Sequence, residues 1–367
     1  MKDVHIIGGG LAGLLNAILL ARQGFSVVLS EKKSYPFHRV CGEYISNEVR
    51  PFLSAQGLFP DHLQPSNINR FLLTSVNGAQ AEMPLDLGAF GVSRYALDAF
   101  WVEKAREAGV EVRERDEIAF CQFNGERFAL QNRRGEQFSA RYVIGAFGKR
   151  SLMDRQMQRA FMQKRSPYIG VKYHIRLDFP SDLIALHNFP GGYCGLSKIE
   201  DGRYNLCYLG ERKALLAHKD IASMEEAVLW TNPFLKEIYH EAEFLLDKPE
   251  VINEISFAPK EAVEGHILMS GDAAGLITPL CGNGMAMAIH SAKILSEILV
   301  QYGFQRGQVE YAYRKAWNKL FKGRLWAGRN IQRLFGGIQM SNAAVWTANH
   351  VPPVARFLMK QTHGEVF

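Results

Sequence analysis

The chain has 367 residues, 47% of them apolar and 11% aromatic, enough to bury a large core and to suggest about two domains. No apolar run reaches the roughly eighteen residues that a membrane-spanning helix needs; the densest block, Leu14 to Ala21, stops at Arg22. Met1-Lys2-Asp3 leads directly into Val4-His5-Ile6-Ile7, unlike a secretory leader, so a cytoplasmic location is expected. The five cysteines, Cys41, Cys121, Cys194, Cys207 and Cys281, form an odd set without a C-x-x-C pair, which fits neither a disulfide framework nor a zinc site; no metal is expected. The net charge of +6 is modest, with Lys and Arg dense between Arg306 and Arg333.

In chain order, Val4 to Ile7 reads as a strand, a glycine turn follows, then a helix from about Leu11 to Gln23 and a second strand from Phe25 to Leu29 that runs on to Glu31. This is a βαβ opening. A helix is expected near Tyr95 to Ala108, and strands at Val110 to Val112 and Arg141 to Gly145. From Tyr168 to Leu177 the pattern alternates strictly, with Ile169, Val171, Tyr173, Ile175 and Leu177 on one face and Lys172, His174 and Arg176 on the other, as in a half-buried antiparallel strand. Tyr204, Leu206 and Tyr208 repeat that alternation after an Asp201-Gly202 turn. An apolar strand returns at Ile267 to Ser270, and helices follow from about Met285.

Gly8-x-Gly10-x-x-Gly13, with Ala12 inside it, sits between strand and helix. In this pattern the glycines serve the tight turn, backbone approach to a pyrophosphate and close helix packing, and the helix N-terminus faces the phosphates. Glu31, about twenty residues on, is placed to accept from a ribose hydroxyl. A second element runs Ile267-Leu268-Met269-Ser270-Gly271-Asp272-Ala273-Ala274-Gly275, then Pro279 and Gly282-Asn283-Gly284-Met285. Together these resemble the FAD-dependent superfamily of geranylgeranyl reductases, one-component aromatic hydroxylases and flavin halogenases.

The resemblance implies FAD as cofactor. It implies that Asp272 holds the ribityl chain and that Pro279, Gly282, Asn283, Gly284 and Met285 lie along the isoalloxazine ring. A helix beginning near Met285 would aim unpaired amides at a reduced, anionic flavin. A helix N-cap is the alternative for Asp272. Ser93-Arg94-Tyr95-Ala96-Leu97-Asp98 resembles the family's arginine segment, which places Arg94 near the pyrophosphate; a solvated arginine is the alternative. Val40-Cys41-Gly42-Glu43 resembles the Cys-Gly turn of the reductase branch, making Cys41 and Gly42 cofactor neighbours and Cys41 a candidate catalytic thiol, or else a packing residue.

The sequence also departs from the family. Phe147 stands in Gly145-Ala146-Phe147-Gly148 where hydroxylases carry Asp, which leaves Gly148 as a cofactor-side glycine but removes a carboxylate. No second G-x-G-x-x-G is present, so NAD(P)H is only a candidate electron donor. None of Trp101, Trp230, Trp317, Trp326 or Trp346 lies in the Trp-x-Trp-x-Ile-Pro segment of halogenases, and the reductases' substrate-face tryptophan is missing from Phe189-Pro190-Gly191-Gly192-Tyr193-Cys194-Gly195. Tyr193 is a candidate catalytic residue facing the flavin, or an ordinary packed strand aromatic. His174 and His187 read as surface or satisfied core histidines.

The expected fold is α/β, a Rossmann-like FAD-binding domain formed by 1–70, 88–165 and 256–305, with an inserted antiparallel substrate domain (71–87 and 166–255) and a helical C-terminus (306–367). The expected function is a geranylgeranyl reductase-like oxidoreductase acting on a hydrophobic, isoprenoid, acyl or aromatic small molecule. The alternatives are a monooxygenase, in which oxygen reacts at flavin C4a, and a flavin-binding protein without turnover. In the basic segment, Trp317, Leu320, Phe321 and Leu325 form a stripe expected to pack in the core, while the charges suit an acidic carrier protein or an anionic membrane surface. Nucleic acid is not expected.

Overall fold

The computed structural model describes residues 1–163, 165–253, 255–278, 283–332, 335–361 and 364–367. Seventeen strands build two sheets, joined and covered by eleven α-helices among these residues. In chain order they are β1 (Lys2–Ile7), α1 (Leu11–Arg22), β2 (Val27–Glu31), β3 (Tyr44–Ser46), α2 (Arg50–Ala55), β4 (Ser66–Thr74), β5 (Gln80–Gly91), α3 (Arg94–Glu107), β6 (Glu111–Glu114), β7 (Ile118–Phe123), β8 (Phe128–Asn132), β9 (Gln137–Gly145) and α4 (Leu152–Gln156). There follow β10 (Tyr168–Arg176), β11 (Leu183–Phe189), β12 (Gly192–Lys198), β13 (Tyr204–Glu211), α5 (Arg212–Leu216), α6 (Ile221–Val228), α7 (Pro233–Glu241), β14 (Glu243–Phe244), β15 (Glu250–Asn253), β16 (Val263–Glu264), β17 (Ile267–Met269), α8 (Gly284–Tyr302), α9 (Arg306–Ile331), α10 (Ile338–His350) and α11 (Pro352–Lys360).

The first sheet has the order β16-β17-β9-β1-β2-β6, and β17, β9, β1, β2 and β6 run parallel to one another, while β16 and β8 join β17 and β9 antiparallel. Parallel strands covered on both faces read as unbroken apolar runs. Accordingly β2 is buried at all five positions, and α1 is buried from Leu11 to Leu20. One core gathers Val4, Ile6, Leu14, Leu15 and Ile18 with Trp101 of α3, Ile289 and Leu295 of α8, and Tyr313 and Trp317 of α9. The helices lie where the βαβ pattern places them.

The second sheet has the order β14-β10-β13-β12-β11-β4-β5-β3, mostly antiparallel, with a parallel β4–β11 pair. It begins far upstream of the expected insertion, so the boundaries expected at 70/71 and 87/88 fall inside β4 and β5. Strand β10 corrects another expectation: Lys172 and His174, read as its wet face, are as buried as Val171 and Tyr173. The apolar face of β10, β12 and β13 packs on Met224, Leu229 and Leu235 from the α6 and α7 region. The polar face turns toward the loop of His38 to Glu43.

Helix α9 buries Val309, Tyr313, Trp317, Phe321 and Leu325 along one stripe, an i, i+4 series that leans on α8. Leu320 falls off that line and is 37% exposed, contrary to the expected stripe. No helix among the described residues is long and apolar enough to cross a membrane.

Candidate active site

The turn between β1 and α1 is built by close backbone approach. Gly8 has φ +103°, and an alanine Cβ there would lie 2.5 Å from the Ala146 carbonyl oxygen; at Gly13 it would lie 1.9 Å from the Gly8 carbonyl oxygen. Such distances admit no side chain. Glu31, at the end of β2, accepts from Gly9 N at 2.9 Å and from Lys33 N at 3.0 Å, and pairs with Arg39 at 3.2 Å. The carboxylate therefore holds the turn from within, and Tyr35 Oη donates to Gly9 O at 2.6 Å from the outside.

Helix α1 begins at Gly10 with no capping side chain and no acidic residue in its first turn. The first amides of a helix point outward without an intrahelical acceptor, and the aligned peptide dipoles favour an anion there. Arg94 stands beside this end, with Nη2 3.5 Å from where a Gly10 Cβ would be. It is not a solvated arginine. Its guanidinium is a fork on the buried Asp98, with both bonds 2.8 Å, and Arg39 Nε shares the same carboxylate at 3.0 Å. Burial works against the Arg94 charge, but Asp98 outweighs it and raises the pKa further.

Gly271, with φ +65°, brings the second element against the first, since a Cβ on it would lie 2.9 Å from Ala12 Cβ. Ser270 Oγ accepts from Asn16 of α1 at 3.1 Å and lies 2.9 Å from Ser291 of α8. Asp272 sits within a 3₁₀ turn, Gly271–Ala273, so the N-cap alternative does not hold; Asn283 is the N-cap residue of α8. The Asp272 carbonyl accepts from Lys260 Nζ at 2.8 Å and the Ala273 carbonyl from Arg159 at 2.9 Å. Burial brings Lys260 down to about 8. Pro279 and Gly282 lie outside the described residues.

Cys41 reaches the first turn of α8, its thiol 3.3 Å from the sulfur of Met285. Cys207 of β13 is only partly exposed, and burial pushes its thiol up to about 12. Tyr193 is placed otherwise. It is 3% exposed and packs edge-on to Phe335, in a cluster with Leu186, Leu209 and Val345, the packed-aromatic alternative.

The glycines test whether a flat, phosphate-bearing group fits here. Gly8, Gly13 and Gly271 are locked against neighbouring atoms, whereas added Cβ atoms on Gly42 and Gly148 would meet nothing within 4 Å, and those on Gly10, Gly195 and Gly284 nothing nearer than 3.5 Å. Open glycine faces around an uncapped helix end and a guanidinium are what a dinucleotide requires. FAD fits these residues.

Sequence reasoning missed the Arg39–Asp98–Arg94 bridge and a buried set of Glu43, Lys172 and His174. Lys172 Nζ and Arg94 N donate to one Glu43 oxygen, and His174 Nε2 lies 2.7 Å from the other. Burial alone would raise the Glu43 pKa, but Lys172 and His174 overcome it and bring it to about 2. Two of these residues alternate along β10, a pattern that local reading assigns to solvent.

A two-sheet architecture, with a parallel sheet carrying an uncapped glycine turn and an antiparallel sheet beside it, defines a dinucleotide-binding flavoprotein. Residues 1–181 match the FAD binding domain family, and the chain's relatives include geranylgeranyl reductases and flavin halogenases. It is 24% identical to conditioned medium factor receptor 1 of Dictyostelium discoideum over 340 residues, covering 82% of this chain and 63% of that protein. To digeranylgeranylglycerophospholipid reductase 2 of Methanopyrus kandleri it is 27% identical over 321 residues, covering 82% of this chain and 77% of the other. The solved flavin-dependent brominase Bmp2 shares its fold with a TM-score of 0.75 at 20% identity, covering 98% of this chain and 93% of that one.

Proposed function

We propose that the chain is an FAD-dependent reductase or dehydrogenase acting on an apolar small molecule of isoprenoid, acyl or aromatic type. The observation that carries the FAD part of this reading is the uncapped start of α1 beside Arg94, held by the close-packed glycines 8, 13 and 271. FAD supplies hydride transfer to or from a carbon centre when bound.

The chain's own residues would divide the remaining work. Amides at the start of α1, with Arg94, receive the pyrophosphate, and the Glu31 carboxylate, already holding Gly9, faces the ribose. Asp272 is offered to the ribityl chain from a turn fixed by Lys260 and Arg159. The open faces of Gly148 and Gly284, with Asn283 and Met285, leave room for the ring; Pro279 and Gly282 belong to the same proposed set. Gly42 and Cys41 form the opposing wall. On the sheet side, Gly195 and Cys207 are neighbours on β12 and β13, an uncharged pair suited to an apolar substrate.

The monooxygenase alternative rests on the fold shared with halogenases, but Phe147 occupies the position of the hydroxylases' carboxylate. NAD(P)H as donor has no second nucleotide turn to support it. The outward face of α9, with Arg314, Lys315, Lys319 and Lys322 exposed near Trp326, is where an acidic carrier or an anionic membrane surface would meet the protein.

Anaerobic stopped-flow mixing of the purified yellow protein with NADPH or NADH, followed by oxygenated buffer, tests the reading. Slow reduction without an oxygen-dependent transient supports a reductase or dehydrogenase served by another donor. Fast reduction with such a transient overturns it in favour of the monooxygenase.

A further inference from the structure

We propose that Lys172, Glu43, His174 and Asn205 are positioning residues that clamp the Cys41 loop and fix where its thiol stands against α8. The inference rests on the reading above that this loop walls the flavin site.

Loops ordinarily satisfy their carbonyls with water at the surface. Here four consecutive carbonyls are taken by side chains from elsewhere. Arg39 O accepts from Lys172 Nζ at 3.2 Å and Val40 O from Lys149 Nζ at 3.3 Å. Asn205 Nδ2 donates to Cys41 O at 3.2 Å and to Gly42 O at 2.9 Å, and Ser197 Oγ reaches Gly42 O at 3.5 Å. Lys172, Ser197 and Asn205 lie on β10, β12 and β13, so the substrate sheet dictates the path of the loop.

Glu43 closes the clamp in a conformation that needs holding. Its φ is +52°, a region that costs a residue with a Cβ about 1 kcal/mol or more, and its side chain is fully buried. Lys172, equally buried, and His174 take its two oxygens. Ring contacts of His38 with His174 at 5.1 Å and with Tyr95 at 4.7 Å cover the group from outside. A buried ion pair returns little net stability, because desolvation offsets the attraction. Its geometric demand is strict, however, and here it falls on the backbone next to Cys41. The loop in turn meets α8 through Cys41 and Met285.

The test is the alkylation rate of Cys41 by iodoacetamide in the purified full-length holoprotein, read by mass spectrometry of its peptide, with buried Cys121 of β7 as internal control. Asn205→Ala removes the side chain that donates to two of the carbonyls, and Lys172→Met removes the ion pair with Glu43. We expect each folded variant to raise the Cys41 rate about tenfold, the scale of one lost hydrogen bond, with Cys121 unchanged. Should Lys172→Met fail to fold, Asn205→Ala decides. A Cys41 rate unchanged in Asn205→Ala, or one that rises together with that of Cys121, overturns the proposal. Every bond in the clamp lies within the chain, so if the parent protein carries no flavin the FAD reading fails while the same comparison still decides the clamp.

Discussion

The thiol of Cys41 lies 3.3 Å from the thioether of Met285, joining residues 244 positions apart. The contact ties the loop after the second nucleotide-sheet strand to the helix that would point at the flavin ring. Cys41→Ser is therefore expected to move the flavin's reduction potential by on the order of 20 mV, about 1 kcal/mol for a two-electron couple. Potentiometry on the purified variant checks it; an unchanged potential and visible spectrum would place the thiol away from the ring.

Gly10 and Gly13 separate cofactor from fold. An alanine at 13 collides with the Gly8 backbone at 1.9 Å, whereas one at 10 meets only Arg94 at 3.5 Å. Gly13→Ala should lower the thermal midpoint sharply. Gly10→Ala should leave stability within about 1 kcal/mol yet reduce FAD occupancy, because the pyrophosphate loses its approach. Full flavin retention in Gly10→Ala would remove the turn from the cofactor site.

Asp272 makes no side-chain hydrogen bond among the described residues, while its carbonyl is held by Lys260. Asp272→Ala should leave the fold intact and weaken FAD binding about tenfold, the worth of one good hydrogen bond. Fluorescence titration of the apoprotein with FAD measures this. An unchanged dissociation constant argues against a ribityl contact.

His5 and His187, both buried, contribute to the acid limb of stability. Burial lowers His5 to about 4 and His187 to about 3. Their folded values lie below the unfolded value near 6.5, so the neutral forms support the fold fully above that pH, and the support fades as pH falls through about 6.5 toward 3. Each contributes a slope of up to about 1.4 kcal/mol per pH unit. Urea midpoints between pH 7 and pH 5 should fall, and His5→Asn should flatten the fall by about one proton.

Local patterns carried the nucleotide half of the molecule. The Gly8 to Gly13 turn, Glu31, Arg94 and Gly271-Asp272 each lie at a strand end or helix start, where short spacing encodes geometry, and the structure brings them together. What local reading could not carry was pairing at long range. Glu43 and Lys172 are 129 residues apart, and nothing near either one signals the other. On β10 the alternation of Lys172 and His174 was read as a wet face because a strand covered by another domain looks the same in sequence as one covered by water. Tyr193 shows the converse: an aromatic on the inner sheet faces helices that only the distant α10 region supplies.

The knot of Asn16, Ser270 and Ser291 has a further consequence for biosynthesis. A ribosome delivers β1 and α1 first, but β17 and α8, which cover them, emerge some 250 residues later, well after the whole antiparallel sheet. At translation rates on the order of ten residues per second, the early half waits tens of seconds with its apolar helix face and glycine turn uncovered. FAD can then be captured only after these distant segments have met.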